Sequence, residues 1–91
     1  MITSTKNQRI VDVRKLTQRK HRLRQNRFLV EGLQLLGLAV EAAGRPEMRG
    51  KIIPREIFYS EDLFSGDTAP HLLAALRALG GEAIAVAPHV L

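Results

Sequence analysis

The sequence predicts a small α/β fold, an α/β/α sandwich around a mixed, largely parallel sheet. Three short apolar segments suit β-strands, and each follows a segment with the periodicity and capping residues of a helix. The order is therefore α-β-α-β-α-β, without internal repeats or low-complexity segments. Strands that alternate with helices favour parallel pairing through right-handed crossovers, with helices on both faces of the sheet. Three strands are few for such a sandwich, so we expect this 91-residue domain to be incomplete at its C-terminus.

The first predicted helix begins after Asn7 and runs to about Leu23. The short side chain of Asn7 can accept hydrogen bonds from the free backbone amides of a helix start. Helical periodicity then gives a narrow apolar stripe on one flank and cationic side chains on the opposite half. The stripe contains Val13, Leu16, Lys20 and Leu23, with Ile10 at its edge. The broad polar face contains Arg14, Lys15, Arg19, His21 and Arg22.

The segment Arg27–Gly32 (RFLVEG) predicts a short buried strand with an apolar centre. Phe28 is therefore assigned to the core, and an exposed stacking role is its alternative. Gly32 suits a tight turn from the strand into the next helix. That helix is apolar nearly all round and is predicted to end at Gly44 as its C′ residue. Gly37 inside it destabilises a helix by about 1 kcal/mol relative to alanine, so we expect close packing there.

The second half of the chain predicts two more strands around one helix. The strand within Ile52–Ser60 is expected to pair from about Arg55 onward, because the preceding proline cannot donate to a ladder. Asp67 or Thr68 is predicted to cap the helix, and the last strand covers Glu82–Ala87. The apolar stripe of this helix consists of Leu72, Leu73, Leu76 and Leu79.

Positive charge is concentrated at the N-terminus. Residues 1–30 contain nine Lys/Arg and one acid, giving +8, whereas residues 31–91 contain five Lys/Arg and eight acids, giving −3. Repulsion among so many like charges destabilises a compact state unless a polyanion relieves it, so we expect nucleic acid as the partner. A solvated cationic face and a membrane or targeting role are the alternatives. The apolar stripe contains no aromatic residue to enter a bilayer, which disfavours a membrane role.

Few catalytic or metal-binding groups are available. The chain has no cysteine, and its three histidines are 50 and 18 residues apart without a paired carboxylate. Gly32 and Gly37 have phosphate-loop spacing, but Leu38 and Ala39 stand where lysine and serine or threonine are needed. We therefore predict no catalytic residue, no cofactor site and no metal site. Neither a membrane span of roughly 18 to 20 apolar residues nor a secretory signal is present, so we expect a cytoplasmic protein.

Several residues of the first third occur in an order that resembles a known family. They are, in sequence order, Ile2-Thr3-Ser4, Asn7, Lys15-Leu16, Lys20 and Arg22, and Phe28 with Glu31-Gly32. This ordered set resembles the N-terminal substrate-binding domain of the SpoU/TrmH family of RNA 2′-O-ribose methyltransferases. Downstream, the segments IFYSEDL and GGEAIAVAPHVL resemble the second strand of that domain and its third strand with the start of the following helix.

The resemblance implies the fold of the kink-turn-binding ribosomal proteins and a role in binding folded ribosomal or transfer RNA. It also implies a knotted SPOUT catalytic domain after residue 91, which would bind S-adenosylmethionine and form a homodimer. Residues 1–91 would then be a single RNA-binding domain, truncated before the catalytic domain and inactive alone. The RNA-binding residues expected on this basis are Asn7, Arg14, Lys15, Arg19, Lys20, Arg22 and Arg27.

Four cations of this set are expected to contact phosphates. These contacts are Lys15, Lys20, Arg22 and Arg27. Such contacts provide affinity and orientation rather than sequence reading. Glu31 most simply pairs with an arginine or caps the next helix, and direct contact with RNA is the alternative. Two alternatives to a methyltransferase domain remain: a stand-alone ribosomal-type RNA-binding protein without catalytic activity, and a protein-interaction module whose basic face binds an acidic partner.

Overall fold

The computed structural model describes all 91 residues, Met1–Leu91, with four α-helices and a two-stranded parallel sheet. The helices are α1 (Gln8–Arg14), α2 (Arg19–Gln25), α3 (Leu33–Ala43) and α4 (Thr68–Ala78), and the strands are β1 (Glu56–Tyr59) and β2 (Glu82–Ala85). Short 3-10 turns lie at Lys15–Thr17, Pro46–Met48, Glu61–Leu63 and Pro88–Val90. None of the helices has the length and apolar character that crossing a bilayer requires. The small α/β class predicted from the sequence is confirmed.

β1 and β2 are parallel neighbours, and α4 forms the crossover between them, as the alternation of strands and helices predicts. The register places Glu56 opposite Glu82 at one end and Tyr59 opposite Ala85 at the other. β1 begins one residue after Arg55, whose carbonyl accepts a hydrogen bond from the Glu82 amide at 2.8 Å. The two strands predicted in the second half of the chain are therefore confirmed.

A residue near the N-terminus, rather than the segment after α2, pairs with the sheet beside β2. Ile2 forms a parallel bridge with Val86. The Ile2 amide donates to the Ala85 carbonyl at 2.9 Å, and its carbonyl accepts from the Ala87 amide at 2.8 Å. The strand predicted within Arg27–Gly32 is wrong, because these residues pair with no strand. Apolar composition alone does not make a strand, which also needs a partner in a ladder, and the only neighbours of β2 are β1 and the single bridging residue Ile2.

The core lies on both faces of the sheet. On one face, α1 contributes to a cluster whose buried members are Ile10, Ile84, Val86 and Val90. On the other face, Ile57 of β1 approaches α4 near Leu76, the buried residue of that helix. Gly81 permits this approach, since a Cβ there would lie 2.5 Å from Ile57 Cδ1 and 3.1 Å from the Leu76 carbonyl oxygen. Helices therefore cover both faces of the sheet.

α4 occupies its predicted range. It begins after Asp67, which occupies the predicted cap position without a side-chain hydrogen bond to the helix. It has Pro70 in its first turn and is followed by Gly80 in a left-handed conformation with φ of 104°. Within the predicted leucine stripe, Leu76 is 6% exposed, whereas Leu79 at the end of the helix is 37% exposed. The stripe is thus buried most deeply where α4 crosses the sheet.

The single basic helix predicted after Asn7 is broken into two. Asn7 caps α1 as predicted, because its Oδ1 accepts from the Arg9 amide at 2.9 Å. The 3-10 turn Lys15–Thr17 and the extended residue Gln18, with φ of −104° and ψ of 132°, then separate α1 from α2. Leu16, in this turn, is 4% exposed. The break therefore lies where a leucine enters the core.

The break turns α2 away from the core. Arg22 of α2 reaches back and donates from Nη1 to the Leu16 carbonyl at 2.9 Å, an oxygen near the helix end that needs a partner. α2 has no buried residue, and Leu23 is 69% exposed. The apolar stripe predicted across one continuous helix is therefore wrong, because the helical periodicity ends at the extended Gln18.

α3 has the predicted extent but not the predicted packing. It ends at Gly44, whose φ of −77° is right-handed rather than the left-handed conformation of a C′ glycine. A Cβ at Gly37 would have no atom within 4 Å, so the prediction of close packing there is wrong. α3 packs mainly against α4 and has no buried residue. Its large exposed side chains are Leu33, Leu35 and Leu38, with exposures between 49% and 57%.

Four charged side chains, which we call the ion cluster, join the basic N-terminal segment to the start of both strands. Arg9 of α1 donates from Nε to Glu56 Oε2 at 2.8 Å and from Nη2 to Glu82 Oε2 at 2.6 Å. Arg27 forms a second ion pair with Glu56. Glu56 and Glu82 are opposite each other in the sheet register, so without cations between them the two carboxylates would repel. The two arginines neutralise this pair and fix α1 and residue 27 to the sheet.

The ion cluster shifts the ionisation of its members. Burial alone would raise the pKa of Glu56, but hydrogen bonds from Arg27 and Arg9 outweigh burial and lower that pKa below its ordinary value of 4.5. Hydrogen bonds to Glu82 and Glu56 in turn raise the pKa of Arg9. The Glu56 side chain is 14% exposed and that of Glu82 is 61% exposed. Solvent therefore weakens the ion pair between Arg9 and Glu82 more than the pair between Arg9 and Glu56.

We predict that Glu56→Gln lowers the free energy of unfolding by about 1 to 3 kcal/mol at pH 7. Glutamine keeps the shape of the side chain but loses both charge-assisted pairs. The pKa of Glu56 is lower in the folded protein than in the unfolded chain. The charged carboxylate therefore stabilises the fold at a pH above the unfolded-state pKa, and this stabilisation is lost as the pH falls through the folded-state pKa. Denaturant titrations from pH 7 to about pH 3 should therefore show the difference between wild type and variant shrinking in acid.

Glu47→Gln is the matched control for this measurement, since Glu47 is an exposed carboxylate outside the ion cluster. Its effect on the free energy of unfolding should stay within about 0.5 kcal/mol at every pH. Equal destabilisation by the two substitutions would contradict the role assigned to the ion cluster.

Candidate nucleic-acid interface

Four exposed cationic side chains of α2 and the preceding turn form no ion pair. They are Lys15, Arg19, Lys20 and Arg24, and we call them the basic surface. All three ion pairs of the protein belong to the ion cluster, so the basic surface has no acidic partner within the chain. Lys20 and Arg24 are four residues apart in one helix and therefore share a face. This arrangement can attract and bind anions.

Three other predicted RNA-binding residues have structural partners. Asn7 caps α1, and Arg22 donates to the Leu16 carbonyl. Arg14 donates from Nη2 to the Val90 carbonyl at 2.9 Å, which joins α1 to the C-terminal 3-10 turn. Arg14 is exposed and Arg22 half-buried, so each retains N–H groups beyond the bond that fixes it. Their contact with RNA stays a prediction.

Arg27 is the predicted RNA contact that is most occupied within the protein. Its Nε donates to Gln25 Oε1 at 2.9 Å, and its Nη1 pairs with Glu56. The side chain is 22% exposed. A phosphate would have to compete with a mostly buried carboxylate for this guanidinium. The geometry therefore favours a role for Arg27 in holding the chain after α2, and its contact with RNA stays a prediction.

Arg24 and Glu56 are absent from the site residues that the sequence predicts. Arg24 follows Lys20 by four residues, so helical periodicity is the signal that identifies it. No sequence signal identifies Glu56, because it lies 47 residues from Arg9 and 29 residues from Arg27 along the chain. Its role depends on the folding of β1 beside α1.

His21 of α2 lies among the cations of the basic surface. Partial burial lowers the pKa of His21, and repulsion from Lys20, Arg24 and Lys15 lowers it further. The imidazole is therefore neutral at pH 7. Its lowered pKa therefore reflects burial first and, in addition, the positive potential that these cations share.

The segment Arg27–Gly32, which follows α2, differs from its prediction at Phe28 and Glu31. Phe28, predicted in the core, is 74% exposed, because the extended segment that contains it has no neighbouring strand. Glu31 is exposed and neither pairs with an arginine nor caps α3, whose N-cap residue Gly32 has no side-chain bond. Gly32 has φ of 93°, a conformation that favours glycine, so the predicted need for glycine before α3 is confirmed, although no strand precedes it.

An apolar cavity of about 200 Å³ lies between α3, α4 and β1. Twelve of its thirteen lining residues are hydrophobic, and the remaining one is the buried Ser60. S-adenosylmethionine, which the family resemblance implies, has charged amino and carboxylate groups and a ribose that require polar partners. The cavity does not provide such partners, so its residues do not fit this cofactor.

Comparison with known proteins identifies the family. The family model described as the MRM3-like substrate binding domain matches residues 7–91, which include the basic surface, the turn at Gly32 and both strands. No curated protein and no solved structure matches the chain. Because the match extends over nearly the whole sequence, the chain belongs to the MRM3-like substrate-binding domain family of the SpoU/TrmH-type RNA methyltransferases.

Proposed function

We propose that this chain is the substrate-RNA recognition domain of an S-adenosylmethionine-dependent RNA 2′-O-ribose methyltransferase acting on folded ribosomal or transfer RNA. Membership of the MRM3-like family supports RNA as the ligand. The observation that carries the proposal is the basic surface, with four exposed cations that have no acidic partner in the protein. Their charge is available for an external polyanion.

The chemistry of the basic surface suits a phosphate backbone. Lysine and arginine side chains that neutralise phosphates release condensed counterions, which makes the affinity large at low salt. Arg19 and Arg24 can each bind a phosphate through two parallel N–H donors, whereas Lys20 provides a point charge. Such contacts fix the register and orientation of the RNA without reading its sequence. The task of this domain is therefore to position the substrate.

In this proposal, methyl transfer takes place on a SPOUT-type domain of a cytoplasmic parent protein, with residues 1–91 on its N-terminal side. That domain would bind the cofactor and form the homodimer. The apolar character of the cavity supports this division, since the residues that line it do not fit the cofactor. Residues 1–91 would then bind folded RNA and have no methyltransferase activity by themselves.

We predict that Lys20→Ala combined with Arg24→Ala weakens binding of a folded RNA by about thirtyfold at low salt, because each lost contact contributes about 1 kcal/mol. The slope of log affinity against log salt should become less negative by about 1.4 to 1.8, the contribution of two phosphate contacts. Filter-binding titrations at several salt concentrations measure both quantities.

The matched control is Arg49→Ala combined with Lys51→Ala, which removes the same charge from exposed positions outside the basic surface. This control should retain most of the wild-type affinity and slope. Equal losses in the two double variants would mean that only net charge matters, and they would contradict an interface on α2.

We predict that RNA binding raises the pKa of His21, because phosphates at the basic surface offset the cations that contribute to lowering it. Binding should therefore take up a proton, and affinity should weaken as the pH rises through the range in which bound His21 loses its proton. NMR titration of the imidazole in the free and the RNA-bound protein measures the shift. His21→Gln should remove this pH dependence. Identical titrations in the two states would place the RNA elsewhere.

A further inference from the structure

Phe28 is the one aromatic residue of the basic segment, residues 1–30, and its ring has no partner within the protein. Its side chain is 74% exposed. The other aromatic residues all lie in the second half of the chain and are half-buried. Phe58 packs against the core cluster, and Tyr59 stacks on Phe64 with ring centroids 6.0 Å apart. Phe28 is therefore the only aromatic ring that is largely available to another molecule.

The backbone before Phe28 is held by contacts at the end of α2. Asn26 adopts a left-handed conformation with φ of 54°, and the Arg27 amide donates to the Arg22 carbonyl at 3.2 Å, which closes the helix. The Arg27 side chain pairs with Glu56 in the ion cluster. Phe28 follows directly, so its position is set by the end of α2 and by the sheet.

Phe28 also lies close to the basic surface. Phe28 is four positions after Arg24, so their Cα atoms are at most about 14 Å apart even in a fully extended chain. An RNA strand with a phosphate at Arg24 can thus bring the base of the same or an adjacent nucleotide to the Phe28 ring.

We propose that Phe28 stacks on an unpaired base of the RNA that the basic surface binds. This inference rests on the proposed function and narrows its substrate class to RNA with an unpaired nucleotide, in a loop, bulge or single strand, beside the phosphate contacts. Bases inside a duplex stack on one another, whereas an unpaired base can offer its face to an aromatic side chain. Cations that follow the backbone together with an exposed aromatic ring form the combination by which proteins bind unpaired nucleotides.

A protein partner at Phe28 fits the surroundings less well. The centre of a protein–protein interface is depleted of charged residues, and of lysine in particular. Phe28 instead ends a segment with a net charge of +8 and directly follows Arg27. Leu29, its other neighbour, is 36% exposed, about half as much as Phe28. RNA satisfies both features, because its phosphates pair with the cations while a base covers the ring.

The test compares two RNAs of equal length and charge, a hairpin with an unpaired loop and a fully paired duplex, in binding to the 91-residue chain. We expect Phe28→Leu to weaken hairpin binding by about 5- to 150-fold, the effect of losing one base–aromatic stack, and to leave duplex binding unchanged. Phe28→Tyr should retain the hairpin affinity because it keeps an aromatic face. Leu63→Ala, an exposed apolar position outside the basic segment, should change neither affinity.

Phe28→Trp gives a direct readout of stacking, because the sequence contains no other tryptophan. Its fluorescence should be quenched by the hairpin and not by the duplex. Thermal melts followed by circular dichroism confirm that each variant folds, which we expect because substitutions at exposed positions have little effect on stability.

Equal hairpin affinity of Phe28→Leu and wild type would overturn the inference, as would equal losses for hairpin and duplex. A wild-type dimer that Phe28→Leu abolishes, with unchanged RNA affinity, would overturn it in favour of a protein contact. These outcomes leave the proposed function intact. The proposed function fails separately if the wild type binds neither RNA in a salt-dependent manner.

Discussion

The arrangement of this protein depends on one carboxylate placed between two arginines. Glu56 begins β1, is largely buried, and binds Arg9 from α1 and Arg27 from the chain after α2. Without these cations, Glu56 would lie opposite Glu82 in the adjacent strand with its charge uncompensated. The ion cluster thus stabilises the start of the sheet and fixes both ends of the segment that contains α2. Because that segment is attached at both ends, its outer side faces solvent in a defined orientation.

Two groups stand out among the cations of the basic segment, and Lys6, Arg14 and Arg22 belong to neither. Arg9 and Arg27 are paired with carboxylates and hold the fold together. The second group has no acidic partner and consists of Lys15, Arg19, Lys20 and Arg24. Repulsion within this second group is not relieved inside the protein, so a ligand that supplies negative charge stabilises the folded state as it binds. The lowered pKa of His21 follows in part from the same positive potential.

The sequence by itself determined the features that depend on local patterns. Residues that are neighbours in the chain were sufficient to predict the cap at Asn7 and the glycine before α3. They were also sufficient for the extents of α3 and α4 and for the strands β1 and β2. The α/β class followed as well, because alternating helices and strands can be arranged in few ways. The ordered motif of the first third was sufficient to indicate the methyltransferase family that the family model then matched.

Only the tertiary structure decided which side chains are paired, buried or exposed. Leu16 enters the core, and the chain breaks at Gln18 so that α2 turns outward. Helical periodicity alone predicts one continuous helix there, whereas the structure has two. Ile2 lies beside Val86 at the end of β2, whereas Phe28 pairs with no strand and lies in solvent. Glu56 pairs with arginines 29 and 47 residues away. Each of these outcomes depends on contacts between distant segments, which exist only after the sheet has brought those segments together.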